Sequence, residues 1–163
     1  ETNYPMPQHS LLVSVVGGED RDVAIQVLTK GGTGCTLVGN TLYNYIDTGN
    51  ETAVTHPEYD VRFERPSHVI TWFRVTVPST ADISIESENA MKQSIIDQFS
   101  AGENRARIGG MVIGSSFICG LARELRVIDI EVSLDGTTWE RFLNFGVDQF
   151  PVTHKQYISL VGL

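Results

Sequence analysis

Several groups of residues in this chain have types and spacings that could carry chemistry. Gly31-Gly32-Thr33-Gly34 invites comparison with a phosphate-cradling loop. Such a loop follows a strand and opens a helix, so that backbone N–H groups and the positive end of the helix dipole face the anion. Here the glycines follow a helical segment, where the dipole is negative, and no Gly-Lys-Ser/Thr accompanies them. They read as a helix stop and connection. Gly114-Ser115-Ser116-Phe117-Ile118 approaches the G-x-S-x-G of a nucleophile elbow, but Ile118 stands where the last glycine is required. A hydrolase would need Ser115 or Ser116 within hydrogen-bond reach of a histidine. His9, His56, His68 and His154 are scattered, with none near in sequence. Asp129, Glu131, Asp135 and Glu140 offer calcium-type oxygens without the Asp-x-Asp-x-Asp-Gly spacing of an EF loop. No two histidines fall four apart on a helix to make a zinc pair. Trp72 with Phe73, and Trp139 with Phe142, could stack sugars or single-stranded bases. Aromatics on alternating strands are ordinarily core, because each buries a large apolar area. Trp72 and Phe73 point to opposite faces, so one lies outside the main core unless something covers it. The Trp72 face is therefore a candidate subunit or domain contact. No catalytic, cofactor-binding or metal-ligating residue is nominated, and no cofactor is expected.

The elements that would position these residues follow from period and punctuation. His9–Val16 is a short Leu/Val-rich run stopped by Gly17-Gly18, the pattern of a largely buried strand. A helix follows, with Glu19, Asp20 and Asp22 in its first turn, Lys30 in its last and Gly31 as its stop. Val23, Ala24, Val27 and Leu28 give it one apolar face. Thr36–Ile46 reads as a strand with Tyr43 and Tyr45 on one face, and Asp47-Thr48-Gly49-Asn50 as a turn. Residues 51–57 read as a loop. Tyr59, Val61, Phe63 and Arg65 alternate with Asp60, Arg62 and Glu64 in a half-buried strand. Val69–Val77 is the strongest strand, with Val69, Thr71, Phe73, Val75 and Val77 on one face and Pro78 as its stop.

Beyond that proline, residues 86–100 read as a helix with Met91, Ile95, Ile96 and Phe99 on one side, and a second helix is expected over residues 115–124. Ile128, Ile130, Val132 and Leu134 alternate with polar residues up to the tight-turn pair Asp135-Gly136, and a return strand is expected over Thr138–Asn144. Residues 156–160 suit a final strand. The expected fold is α+β: two small lobes, residues 9–78 and 79–163, each a mixed or antiparallel sheet packed with one or two helices.

Length and charge narrow the function classes. A chain of 163 residues can bury a real core. Twelve Lys and Arg against 20 Asp and Glu give a net charge of -8, the wrong sign for releasing counterions from phosphates, so nucleic acid is not expected as a partner. No run approaches the roughly 18 apolar residues of a membrane span. The first residues have neither a positive n-region nor an apolar h-region. Because the sequence does not begin with Met, it is expected to be a processed product or a piece of something longer. Cys35 and Cys119 lie far apart and are expected to be reduced, buried core side chains.

The run His9-Ser10-Leu11-Leu12-Val13-Ser14-Val15-Val16-Gly17-Gly18, the helix containing Ala24 and Ile25, and Gly34-Cys35-Thr36-Leu37-Val38-Gly39-Asn40 together resemble the baseplate J-like family, wedge proteins of contractile phage tails and related injection machines. Arg62-Phe63-Glu64-Arg65-Pro66 followed by Phe73-Arg74-Val75-Thr76-Val77 resembles its next segment. Ile95-Ile96-Asp97-Gln98-Phe99, Ile108-Gly109-Gly110 and Gly146-Val147-Asp148-Gln149-Phe150-Pro151-Val152 before Tyr157-Ile158 resemble its C-terminal end. The resemblance spans residues 9–160, rests on fold-bearing positions and includes no catalytic signature. It implies the C-terminal portion of a longer, non-enzymatic structural subunit located in the virion tail baseplate, and in the host cytoplasm during assembly. The partners it implies are other wedge proteins, the sheath-initiating part of the tail, and further copies in a ring around the hub. Trp72 and residues 48–56 depart from the family pattern, so contacts there cannot be inherited. A different class of function is a carbohydrate-binding tail module, in which Trp72, Trp139 or the tyrosines Tyr43 and Tyr45 would line an open shallow groove.

Overall fold

The computed structural model describes residues 6–31, 34–49, 54–121 and 125–163. The fold is α+β, and the chain divides into two compact units, Glu1–Ser67 and His68–Leu163.

In the first unit, β1 (Ser10–Leu12) runs parallel to β2 (Thr36–Val38), and β3 (Thr41–Ile46) pairs antiparallel with β4 (Glu58–Phe63). A single bridge, Ser14 to Glu64, carries β1's chain on alongside the end of β4. Helix α1 (Asp20–Lys30) has the expected acids at its start and Lys30 at its end. It buries Ala24 and Val27 against Val61 and Phe63, with Val13, Val23, Leu28, Leu37, Tyr43 and Tyr45 packed around them. Tyr43 and Tyr45 therefore share the helix-facing side of β3, as period two predicts. Gly31 ends the helix by close approach, not by a left-handed turn. Its backbone is extended (φ -72°, ψ 138°), and a Cβ there would run into the Val27 carbonyl.

The strand expected over Thr36–Ile46 is broken between β2 and β3. Gly39 sits at φ 154°, and its missing side chain leaves room for the Phe63 backbone. Asn40 then joins the two halves of the unit. Its backbone N–H and Nδ2 donate to the Glu64 carboxylate (3.0 and 2.7 Å), Nδ2 also donates to the Arg65 carbonyl, and Oδ1 accepts from the Arg65 N–H. Glu64, expected on the polar face of its strand, is buried for this reason, at 4% exposure. In the Asp47–Asn50 turn the Gly49 N–H donates to Asp47 Oδ1. Asn50, residues 51–53 of the expected loop, and Gly32-Thr33 of the glycine stretch lie outside the described residues.

The second unit is built on β6 (Trp72–Val77), flanked antiparallel by β8 (Asp129–Ser133) and parallel by β11 (Ile158–Gly162). Phe73, Val75 and Val77 are fully buried and pack against Met91, Ile95 and Phe99 of α2 (Ile85–Ala101) and Phe117 of the 3-10 turn Gly114–Gly120. The Phe73 ring meets Phe99 and Phe117 edge-on at 5.7 and 5.1 Å, a favourable aromatic geometry. Ser84 caps α2 by accepting the Ser87 N–H.

Several expectations are corrected here. The unit boundary falls after Ser67 and not at Pro78, because β6 is the central strand of the second sheet and cannot belong to the first unit. The single strand expected over Val69–Val77 is two, β5 (Ser67–Ile70) and β6. The chain changes partner at Thr71, whose N–H donates to the Val152 carbonyl of β10 (Gln149–Val152). The helix expected over 115–124 is the short 3-10 turn, and residues 122–124 lie outside the described residues. After the Asp135-Gly136 turn the return strand keeps only the bridge Val132–Glu140. The rest, β9 (Phe142–Asn144), pairs with β7 (Met111–Ile113). Cys35 and Cys119 are free and exposed, not buried: Cys35 stands in the connection before β2, and Cys119 belongs to neither core, although its 3-10 turn buries Phe117.

Candidate functional site

The residues weighed for chemistry do not come together. Ser116 donates its hydroxyl to the Ile113 carbonyl at 2.7 Å, a local bond that ties down its turn. Ser115 lines a cavity of about 350 Å³ beside Asp129 and Arg141, with no histidine in its wall. His68 and His154 pack against the rings of Phe150 and Tyr157. Asp129 accepts from its neighbour's N–H, Glu131 pairs with Arg74, and Asp135 organises the hairpin turn. Among the described residues no three His, Cys, Asp or Glu side chains are grouped to hold a metal ion.

The Asp135 carboxyl is held well below the usual carboxylate range. The backbone N–H groups of Thr138 and Thr137 bond its charged form, and the Ser133 hydroxyl adds a third donor. Gly136, at φ 74°, completes the tight turn that the sequence announced.

The four aromatics proposed as a sugar platform are each half-buried against their own chain. Tyr43 and Tyr45 lie under α1. The Trp72 ring meets Tyr157 edge-on at 4.7 Å, and Gly136 approaches so closely that a Cβ there would touch the indole. Trp139 lies beneath the Arg74 guanidinium, 4.6 Å from it, while Arg74 also grips Glu131 at 2.5 Å. The Trp72 face of β6 is thus largely occupied by the hairpin tip and the turn before β11.

Open apolar surface occurs elsewhere. On the β7–β9 ribbon, Val112 and Leu143 turn inward while Met111, Ile113 and Phe142 turn outward at 54, 38 and 48% exposure. Ile113 and Phe142 stand directly opposite each other, so they form a continuous strip. The signal for this strip was Met111-Val112-Ile113 between Gly110 and Gly114, an apolar run short enough to pass as a connection.

In the first unit, a groove of about 650 Å³ lies between β1's chain and α1. Its floor is Leu11, Val13 and Val15, and Val23 and Val27 of the helix overhang it. The Gly17-Gly18 turn closes one end, both residues having φ near 75°. Arg65 clamps that turn. It donates to the carbonyls of Gly17 (2.5 Å) and Gly18 (2.7 Å), reaches that of Val15, and pairs with Asp20 at 2.7 Å, its guanidinium lying over the Phe63 ring.

Comparison of the chain with protein-family profiles and with curated proteins gives no match. Among the described residues no helix is long and apolar enough to cross a membrane.

Proposed function

We propose that the chain is a structural subunit of a contractile phage or prophage tail baseplate wedge, working through protein–protein contacts. The observation that carries this reading is the outward strip of Met111, Ile113 and Phe142 on a ribbon whose inner face is locked into the core. Adjoining apolar side chains left open on rigid backbone suit a docking surface. The resemblance to baseplate J-like proteins, spread over both units, supplies the kind of assembly. Its partners would be other wedge subunits, the sheath-initiating tail proteins and further copies of the same chain, and it would reside in the virion. The test is co-expression with the tail proteins encoded beside it, comparing wild type with Ile113→Glu and Phe142→Arg. Co-purification lost in the variants, with circular dichroism unchanged, supports the reading. A wild-type chain that associates with none of those proteins refutes it.

A further inference from the structure

We infer that the outer edge of β1 accepts an extended strand from a partner polypeptide, whose alternate side chains enter the groove beneath α1. This rests on the reading of the chain as a docking protein, but not on which machine it serves. In the parallel pairing of β1 with β2, and in its bridge to Glu64, the backbone groups of the odd-numbered residues are the ones engaged. His9 accepts from Thr36, Val13 accepts from Glu64, and Val15 donates to Glu64. The N–H and C=O groups of Ser10, Leu12, Ser14 and Val16 must therefore point the other way. No strand lies on that side among the described residues, for the sheet consists of β1 and β2 alone. An edge of this kind is a ready template for one more strand.

The groove explains why the occupant is a strand and not only a greasy patch. The odd-numbered side chains Leu11, Val13 and Val15 form its floor, and these are the side chains beside which every second residue of an added strand would project. The ends of the groove carry opposite charges. Gly31 abuts Leu11, which puts Lys30 at the start of β1, and Gly18 abuts Val23, which puts Asp22 at the other end. Neither Asp22 nor Lys30 has an ion-pair partner among the described residues, whereas Asp20 is taken by Arg65. The occupant that fits is an extended segment with apolar residues at alternate positions, a cation to meet Asp22 and an anion to meet Lys30.

The probe is the synthetic peptide Lys-Thr-Val-Thr-Val-Thr-Glu, titrated into the 15N-labelled full chain. Binding is expected with slowed exchange of the Leu12, Ser14 and Val16 amides, while those of Val13 and Val15 change little. A peptide N-methylated at alternate amides keeps its side chains but loses its donors, and should bind at least ~10-fold more weakly. On the protein side, Ser14→Pro removes an N–H from the free edge only, a substitution edge strands tolerate, and should abolish binding. Three results overturn the inference. One is no binding up to about 1 mM peptide, the weakest affinity worth assigning to a site. Another is equal binding of the methylated peptide, which is readable even where the proline variant fails to fold. The third is concentration-dependent self-association that Ser14→Pro removes, which would make a second copy the occupant. Co-assembly with tail proteins that survives a failed peptide titration leaves the docking role standing and removes this inference alone.

Discussion

Arg65 offers the sharpest test of how the first unit is held together. Replacing it with Ala removes a side chain that joins the Gly17-Gly18 turn, the start of α1 and the end of the β4 chain. The Gly17 and Gly18 carbonyls are exposed and would regain water, so each lost bond to the guanidinium costs about 1 kcal/mol net. The pair with Asp20 is half exposed and contributes less than about 1 kcal/mol. The sum is about 2–3 kcal/mol, or a shift of roughly 1 M in the urea midpoint for an m-value near 2 kcal/mol per M. Both tryptophans lie in the second unit, whereas Tyr43, Tyr45 and Tyr59 lie in the first. Tyrosine emission should therefore register the weakened unit, with tryptophan emission as the internal comparison. Arg65→Lys should fall between wild type and Ala, because a compact ammonium keeps the charge but lacks the planar fork that spreads Nη1 and Nη2 over the Gly17 and Gly18 carbonyls. An Ala variant within about 0.5 kcal/mol of wild type would refute the clamp, that being the spread of surface substitutions that touch nothing.

Other substitutions probe single features. Thr71 is fully buried with no partner for its hydroxyl among the described residues, so Thr71→Val should stabilise by about 1 kcal/mol, raising Tm by roughly 3 °C; a fall in Tm would show that the hydroxyl is bonded. Gly39→Ala should cost about 2 kcal/mol or more by urea unfolding, since φ 154° and the Phe63 carbonyl both oppose a side chain; a neutral result would mean that the break between β2 and β3 relaxes freely. Asp135 has a folded-state pKa below that of the unfolded chain, so its charge stabilises the fold above the ordinary carboxylate range, and that stabilisation fades as pH falls through the depressed folded value. The Tm advantage of wild type over Asp135→Asn should accordingly be full near pH 7 and shrink below about pH 4, and a gap independent of pH would discard the electrostatic account.

What the sequence made legible is what neighbouring residues decide. The faces of α1 and α2, the inward register of Phe73, Val75 and Val77, and the Asp135-Gly136 turn all follow from period and local chemistry, and each stands where it was expected. What it hid depends on residues far apart in the chain. Alternation cannot say that β9 leaves β8 to pair with β7, nor that Gly114 will lie so close to β8 that any side chain there would strike the Ile130 carbonyl. Nor can it say that a strand will change sheets at Thr71, or that Glu64 will be drawn inward by an asparagine 24 positions earlier.

The run from His9 to Val16 marks the deeper limit. Its Leu- and Val-rich pattern implies a largely buried strand, yet Leu11, Val13 and Val15 are half-buried and Val16 is exposed along an open groove. A pattern written for burial and found at an edge is a mismatch between composition and environment, since such a strand would ordinarily be shortened, charged or covered. It carries no charged residue from Ser10 to Val16, and the charged side chains lining the groove are Asp22 and Lys30 of the helix. The burial that the sequence calls for is thus completed only when another strand lies against that edge. The same residues that misled the reading of the isolated chain are those that specify its partner.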